Sequence, residues 1–350
     1  MDERVPAEPS RRSALRTTVL PCLRACALVA TVLLAYAVVA DLIHPRVRHA
    51  AGPRAVAGTA ARGARPPAVP RPAASAPGPR PRPANPRDTA AEKRSAGVAK
   101  EVRDTRVDLS AVADAVPAHG ARWAVAVHDL TTGNSGGLGD GYFDTASIVK
   151  IDILATLLLR AQQAHRGLTD AERDYAAVMV RQSDNAAATA LWRRIGGADG
   201  LDAGNGELGV TGVRGDQDDL WGLTQTTATG QLDLLRAVFG DTSPLNEDSR
   251  GYLRELMAHI DPSQRWGVSA AADDRTASAL KNGWLQRSTT GLWDINSIGR
   301  VRHAGHTLLV AVVSSGNATQ GAGVALVEAA AREAVEAVVA AGHPEPVPTP

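Results

Sequence analysis

The sequence predicts an α/β (α+β) fold, in which an antiparallel β-sheet is flanked by helices and a helical lobe stands beside it. Three observations predict it. An alternating run, "RWAVAVHDL" (Arg122–Leu130), opens the folded part of the chain. Three further strand-like runs lie near its other end. Helical patterns fill the interval between them. Strands from both ends therefore pair across the whole unit, and the intervening helices cover the sheet.

In chain order, Arg122–Leu130 alternates and reads as a strand. "TTGNSGG" after it predicts a turn. Its "GNSGG" (Gly133–Gly137) has the G-x-S-x-G pattern of a hydrolase elbow, which needs strand, turn and then helix. "LGDGYFD" follows instead, so Ser135 is set aside as a nucleophile. Helical patterns run over Ser147–Gln163, Thr169–Gln182, Asp184–Ile195, Thr226–Phe239 and Asn246–His259. Thr169 and Glu172 have the spacing of a capping box. Strand patterns return at Thr276–Trp284, Trp293–Val301 and His306–Ser314, and a helix over Gly321–Ala341 closes the unit. His259, His303 and His306 fit no ligand pattern and are expected at the surface or at caps.

Five segments follow from composition. Residues 1–24 are basic and expected in the cytoplasm. Residues 25–43, "ACALVATVLLAYAVVADLI", carry one charge, Asp41, and have the length of a bilayer span. Basic residues before the span fit the positive-inside rule. The segment is a transmembrane anchor, or a signal removed near "AYA" (Ala35–Ala37). The first gives a single-pass membrane protein with its folded unit outside the cytoplasm, the second a secreted one. Residues 44–104 are rich in Pro, Ala and Arg, and predict a disordered linker. Residues 105–342 are expected to form one folded unit, a monomer, and 343–350 a disordered tail.

Bulk properties exclude several functions. A net charge of +1 and 3% aromatic residues offer neither a phosphate-binding field nor a stacking surface, so no nucleic-acid partner is expected. The two cysteines, Cys22 and Cys26, precede the folded unit, which therefore has no disulfide and no thiol nucleophile. No histidine spacing matches a metal site, so no metal and no cofactor are expected.

Lysine usage points to the chemistry. Of 38 basic residues only four are lysine: Lys93, Lys100, Lys150 and Lys281. Lys150 stands among Ile148, Val149, Ile151, Ile153 and Leu154, in a helix apolar almost all round. Burial disfavours its ammonium and lowers its pKa. Ser147 is three residues earlier, on the same helical face. A neutral amine beside a hydroxyl can take its proton and make a nucleophile. Arginine cannot, because it keeps its proton in proteins.

Two further motifs follow in order: Ser183-Asp184-Asn185 between helical patterns, and Lys281-Asn282-Gly283 on a strand. With "SIVK" they give the series S-x-x-K, S-D-N, K-x-G. From about residue 121 to 335 the chain resembles the class A β-lactamases and penicillin-binding proteins. The resemblance implies a β-lactamase/transpeptidase-like fold and a serine acyl-enzyme. Ser147 would be the nucleophile and Lys150 its base. Ser183 would relay a proton, with Lys281 polarising it and attracting a substrate carboxylate. Asn185, Asn282, Gly283 and Trp284 would bind substrate, the last through its backbone N–H in an oxyanion hole with that of Ser147. The substrate would be a small-molecule β-lactam or a peptidoglycan stem peptide.

The pattern is departed from in three places. Asn282 stands where Thr or Ser is usual. The 36-residue interval from Ser147 to Ser183 is short, which implies a more open cleft. No E-x-x-L-N occurs between Asn185 and Thr226, leaving Asp218 or Asp219 as the candidate deacylation carboxylate. Three functions therefore stand: a β-lactam hydrolase, a D,D-carboxypeptidase or penicillin-binding protein with slow release, and a non-catalytic sensing module. The first leads.

Overall fold

The structure is a computed structural model and describes residues 105–342. The expectations for residues 1–24, 25–43, 44–104 and 343–350 lie outside the described residues. Among the described residues no helix is long and apolar enough to cross a membrane.

The chain enters as β1 (Arg106–Val107), α1 (Ser110–Ala115), β2 (Arg122–Asp129), β3 (Ser135–Leu138) and β4 (Phe143–Asp144). A 3₁₀ turn at Ala146–Ile148 leads into α2 (Val149–Gln163), then α3 (Asp170–Arg181), α4 (Asn185–Arg194) and α5 (Gly197–Leu208). Next come β5 (Val213–Arg214), a 3₁₀ turn at Trp221–Leu223, β6 (Gln225–Thr226), α6 (Ala228–Phe239) and α7 (Glu247–Ala258). The chain ends with β7 (Ala279–Gln286), β8 (Trp293–His303), β9 (His306–Asn317) and α8 (Gln320–Ala340).

The main sheet has the order β1-β3-β2-β9-β8-β7, so strands from both ends pair in its centre. β2 and β9 run antiparallel with Ala126 opposite Ala311. Val310 and Val312 pack with the α8 residues Val327, Ala331 and Val335 on one face. Ala311 and Val313 join the core of α2 and α6 on the other. The strand's two-residue period thus serves two cores, and an apolar run buried on both faces results. α2 is buried along its length, from Val149 to Leu159. The helical lobe packs around it.

The sheet departs from the expected pattern at one edge, where β1 pairs parallel with β3. "GNSGG" also differs from the predicted turn. The turn ends at Asn134, and Ser135–Leu138 pairs with β2 as a strand. Glycine at 136 lets this strand pack on Leu109, the residue before α1, since a Cβ there would meet that side chain at 2.9 Å. α5 was not expected either, since "GADGLDAGNGEL" has poor helix propensity. A Cβ on Gly204 would lie 2.5 Å from the Thr156 side chain, so glycine lets α5 close onto α2. The capping box at α3 forms with both of its bonds. His306 is buried rather than exposed, its Nδ1 2.7 Å from Asp129 Oδ2.

Candidate active site

Three pieces of chain meet where the three motifs lie. The first is the turn carrying Ser147. Asn296, buried on β8, donates to Asp144 O at 2.8 Å and Thr145 O at 3.0 Å, and accepts from Ser314 N at 3.0 Å. Thr145 N is held by Thr224 O at 2.8 Å. Ala146, next in line, takes the left-handed conformation at φ +46°. Such backbone is costly for a residue with a Cβ and persists only where its surroundings dictate it. It sets Ser147 at the head of α2.

The second piece is the bend between α3 and α4. Ser183 is also left-handed, at φ +60°. Asp184 caps α4, its Oδ1 accepting from Ala187 N at 2.7 Å. The capping fixes Ser183 and Asn185 on either side of it. The third piece is edge strand β7. A Cβ on Gly283 would come within 2.7 Å of Thr145 O and 2.8 Å of Ser147 N. Only glycine lets the strand lie this close to the serine turn.

These pieces place Lys150 Nζ 2.9 Å from Ser147 Oγ and 3.0 Å from Ser183 Oγ. The same nitrogen lies 2.7 Å from Ser183 O and 2.9 Å from Asn185 Oδ1. Lys281 Nζ reaches Ser183 Oγ at 3.1 Å and its neighbour's carbonyl, Asn282 O, at 2.9 Å. An unbroken polar line therefore runs Ser147, Lys150, Ser183, Lys281. Both lysines are fully buried. Burial brings the Lys150 ammonium down from its ordinary value to about 7, against a smaller opposing pull from Asp184. Burial, aided by the nearby Lys150, holds Lys281 well below its ordinary value. A neutral amine has two N–H donors and one lone pair. Two oxygens around Lys150, Ser183 O and Asn185 Oδ1, can only accept. They take the two N–H groups and leave the lone pair for the hydroxyls.

Residues 171–338 match the family described as Beta-lactamase enzyme family. The match includes Ser183, Asn185 and Lys281 to Trp284 and begins after Lys150. The structure supplies the part before it. The chain is similar to PBP-A, with 18% identity and a TM-score of 0.57 over 67% of this chain and 97% of that one. It is similar to the TLA-1 extended-spectrum β-lactamase, with 16% identity and a TM-score of 0.57 over 63% and 93%. It is similar to a β-lactamase from Chitinophaga pinensis, with 18% identity and a TM-score of 0.56 over 65% and 97%. The folded unit is β-lactamase-like. No curated protein matches the chain in sequence.

Within this β-lactamase-like unit the site residues are not all disposed as expected. Asn282 is turned elsewhere. Its side chain is fully buried and its amide donates to Gln264 O at 2.6 Å and Trp266 O at 3.1 Å. On a strand it faces away from Lys281 and Gly283. The Trp284 ring packs 5.9 Å from Trp266, leaving its backbone as the part that concerns the site. Asp218 and Asp219 are exposed. Asp219 Oδ1 accepts from Trp192 Nε1 at 2.9 Å, and neither carboxylate hydrogen-bonds Lys150 or Ser147.

Two residues at the site are missed by the sequence. One is Asn296, which clamps the serine turn. The other is Trp221, whose ring centroid lies 4.8 Å from Lys150 Nζ. Trp221 also lines a cavity of about 520 Å³ with Leu220, Leu223, Leu285 and Arg287. Neither residue sits in a local pattern. Among the described residues no cluster of His, Cys, Asp and Glu could hold a metal ion.

Proposed function

We propose that the protein is a serine acyl-enzyme hydrolase that opens β-lactams, or the D-alanyl-D-alanine-like end of a stem peptide, by acylation of Ser147. The observation that carries this reading is the polar line from Ser147 through Lys150 and Ser183 to Lys281. The Lys150 lone pair takes the Ser147 proton, and Oγ attacks the substrate carbonyl. Oxyanion charge collects between the N–H groups of Ser147 and Trp284, each donor worth roughly 2.7–4 kcal/mol. The carbonyl C–N bond then breaks, and the leaving nitrogen takes a proton through Ser183. Lys281 polarises Ser183 and attracts the substrate carboxylate. The Asn185 NH₂ group, its oxygen already on Lys150, is left to hold the substrate amide.

The pre-assembled line favours an enzyme over a sensing module, which has no need of two desolvated lysines on one serine. Slow release, as in a penicillin-binding protein, is favoured by a separate observation. The carboxylates expected to activate a deacylating water, Asp218 and Asp219, stand off from the amine. We also assign the catalytic unit to the outside of the cytoplasmic membrane, tethered through residues 25–43, because an apolar segment after basic residues is followed by a long linker.

The test is labelling of the purified full chain with a fluorescent penicillin. A covalent label in the wild type that is lost in Ser147→Ala and in Lys150→Arg agrees with the reading. A label that survives Lys150→Arg contradicts the base role, because arginine keeps the charge but cannot accept a proton.

A further inference from the structure

We propose that Trp221 sets the lifetime of the acyl-enzyme by closing the side of Lys150 that the polar groups leave open, so that the group on Ser147 is released slowly. This rests on the acylation of Ser147 proposed above. It adds a residue that controls the release step.

Release needs a water oxygen to attack the ester carbonyl and give a proton to a base. The bond from carbonyl carbon to Oγ then breaks, and Ser147 Oγ takes a proton back. A general base contributes about 10²–10⁴-fold to such a step. The carboxylates nearby are committed elsewhere. Asp184 caps α4, Asp219 holds the Trp192 indole, and Asp144 is taken by Gln225 and Arg287. Lys150, 2.9 Å from Ser147 Oγ, is the base in direct contact with the side chain that carries the ester. It meets four oxygen contacts from Ser147, Ser183 and Asn185. The Trp221 ring lies over it at 4.8 Å.

The indole is fixed there. Trp221 Nε1 donates to Thr189 Oγ1 at 3.1 Å, and Thr189 Oγ1 donates to Asn185 O at 3.0 Å. The lid is thus tied to the helix that presents Asn185. Its turn, Trp221–Leu223, closes on itself through Thr224 N to Trp221 O at 3.2 Å. Within that turn a Cβ on Gly222 would lie 4.0 Å from the Cα of Ala146, the neighbour of Ser147. An apolar ring replaces solvent beside the amine. A water on that side of the amine would face the ring in place of a second polar group, whereas ordered water needs two or more polar partners.

The experiment follows the penicilloyl adduct by intact mass on the full chain, with acylation and release rates measured separately. The wild-type adduct is expected to outlast the time of its formation by far. Trp221→Ala is expected to shorten its lifetime at least ~10-fold more than it alters acylation, and Trp221→Glu, which adds a base, ~100-fold. Trp221→Phe keeps a ring over Lys150 and should keep the long lifetime, which a general packing defect would not. Thermal melting of each variant separates lost lifetime from lost fold. Rapid release in the wild type, or equal lifetimes in wild type, Trp221→Ala and Trp221→Glu, overturns the role of Trp221 while leaving acylation intact. Absence of any wild-type adduct overturns the acyl-enzyme reading itself, and this inference with it.

Discussion

Lysine acts as a base only when it is neutral, so the pH profile of acylation reads the Lys150 environment directly. An ordinary lysine loses its proton near 10.5, and burial brings Lys150 to about 7. That gap corresponds to about 5 kcal/mol against the ammonium, at 1.36 kcal/mol per unit. At pH 7.5 roughly three quarters of Lys150 is then neutral, against about one in a thousand for an ordinary lysine. The sign is fixed by the neutral form being the reactive one: acylation is lost as pH falls through 7. The assay is the second-order labelling rate with a fluorescent penicillin from about pH 5.5 to 9.5, a span that brackets the shifted value on both sides. The rate should rise about tenfold per unit up to the inflection and then level. Asp184 raises the Lys150 value, so Asp184→Asn, which still caps α4, should move the inflection to lower pH. A rate still climbing at pH 9.5, or an inflection unmoved by Asp184→Asn, refutes the reasoning.

Other outcomes rest on the same geometry. Gly283→Ala forces a Cβ against Thr145 O and Ser147 N, and should cut the labelling rate ~100-fold, the scale of losing an oxyanion donor, as read by the same assay. Asn296→Ala removes a buried clamp with three partners and should lower stability by roughly 2–4 kcal/mol in urea melts, with a matching loss of labelling. Asp152 is fully buried on α2, and burial raises its carboxyl to about 7. Its contribution to stability is whole below the unfolded value near 3.8 and is lost as pH rises through 7, a swing of about 4 kcal/mol at most. Asp152→Asn should therefore melt like wild type near pH 4 and higher than wild type at pH 8. Equal melting curves at pH 8 would contradict that burial cost.

The Ser147–Lys150 part of the site was legible because lysine is rare in this chain and an i, i+3 pair needs no tertiary knowledge. Strand-like runs at β2 and β9 likewise gave the non-local sheet. The face of Asn282 was legible too, since the two-residue period sets it opposite Lys281 and Gly283. The family pattern outweighed that signal. Trp221 was not legible: it meets Lys150 across 71 positions of sequence, through a short 3₁₀ turn that carries no periodicity. Asn296 looks like any polar residue on a strand until the serine turn is packed against it. α5 ran against local propensity because Gly204 is chosen for contact with Thr156, a reason that lies in another helix.

Peptide mapping after exposure to benzylpenicillin tests the central claim most directly. The account predicts a penicilloyl group on the peptide carrying Ser147, bound to that side chain. An adduct on Ser183 or on any other residue, with Ser147 unmodified, would contradict it.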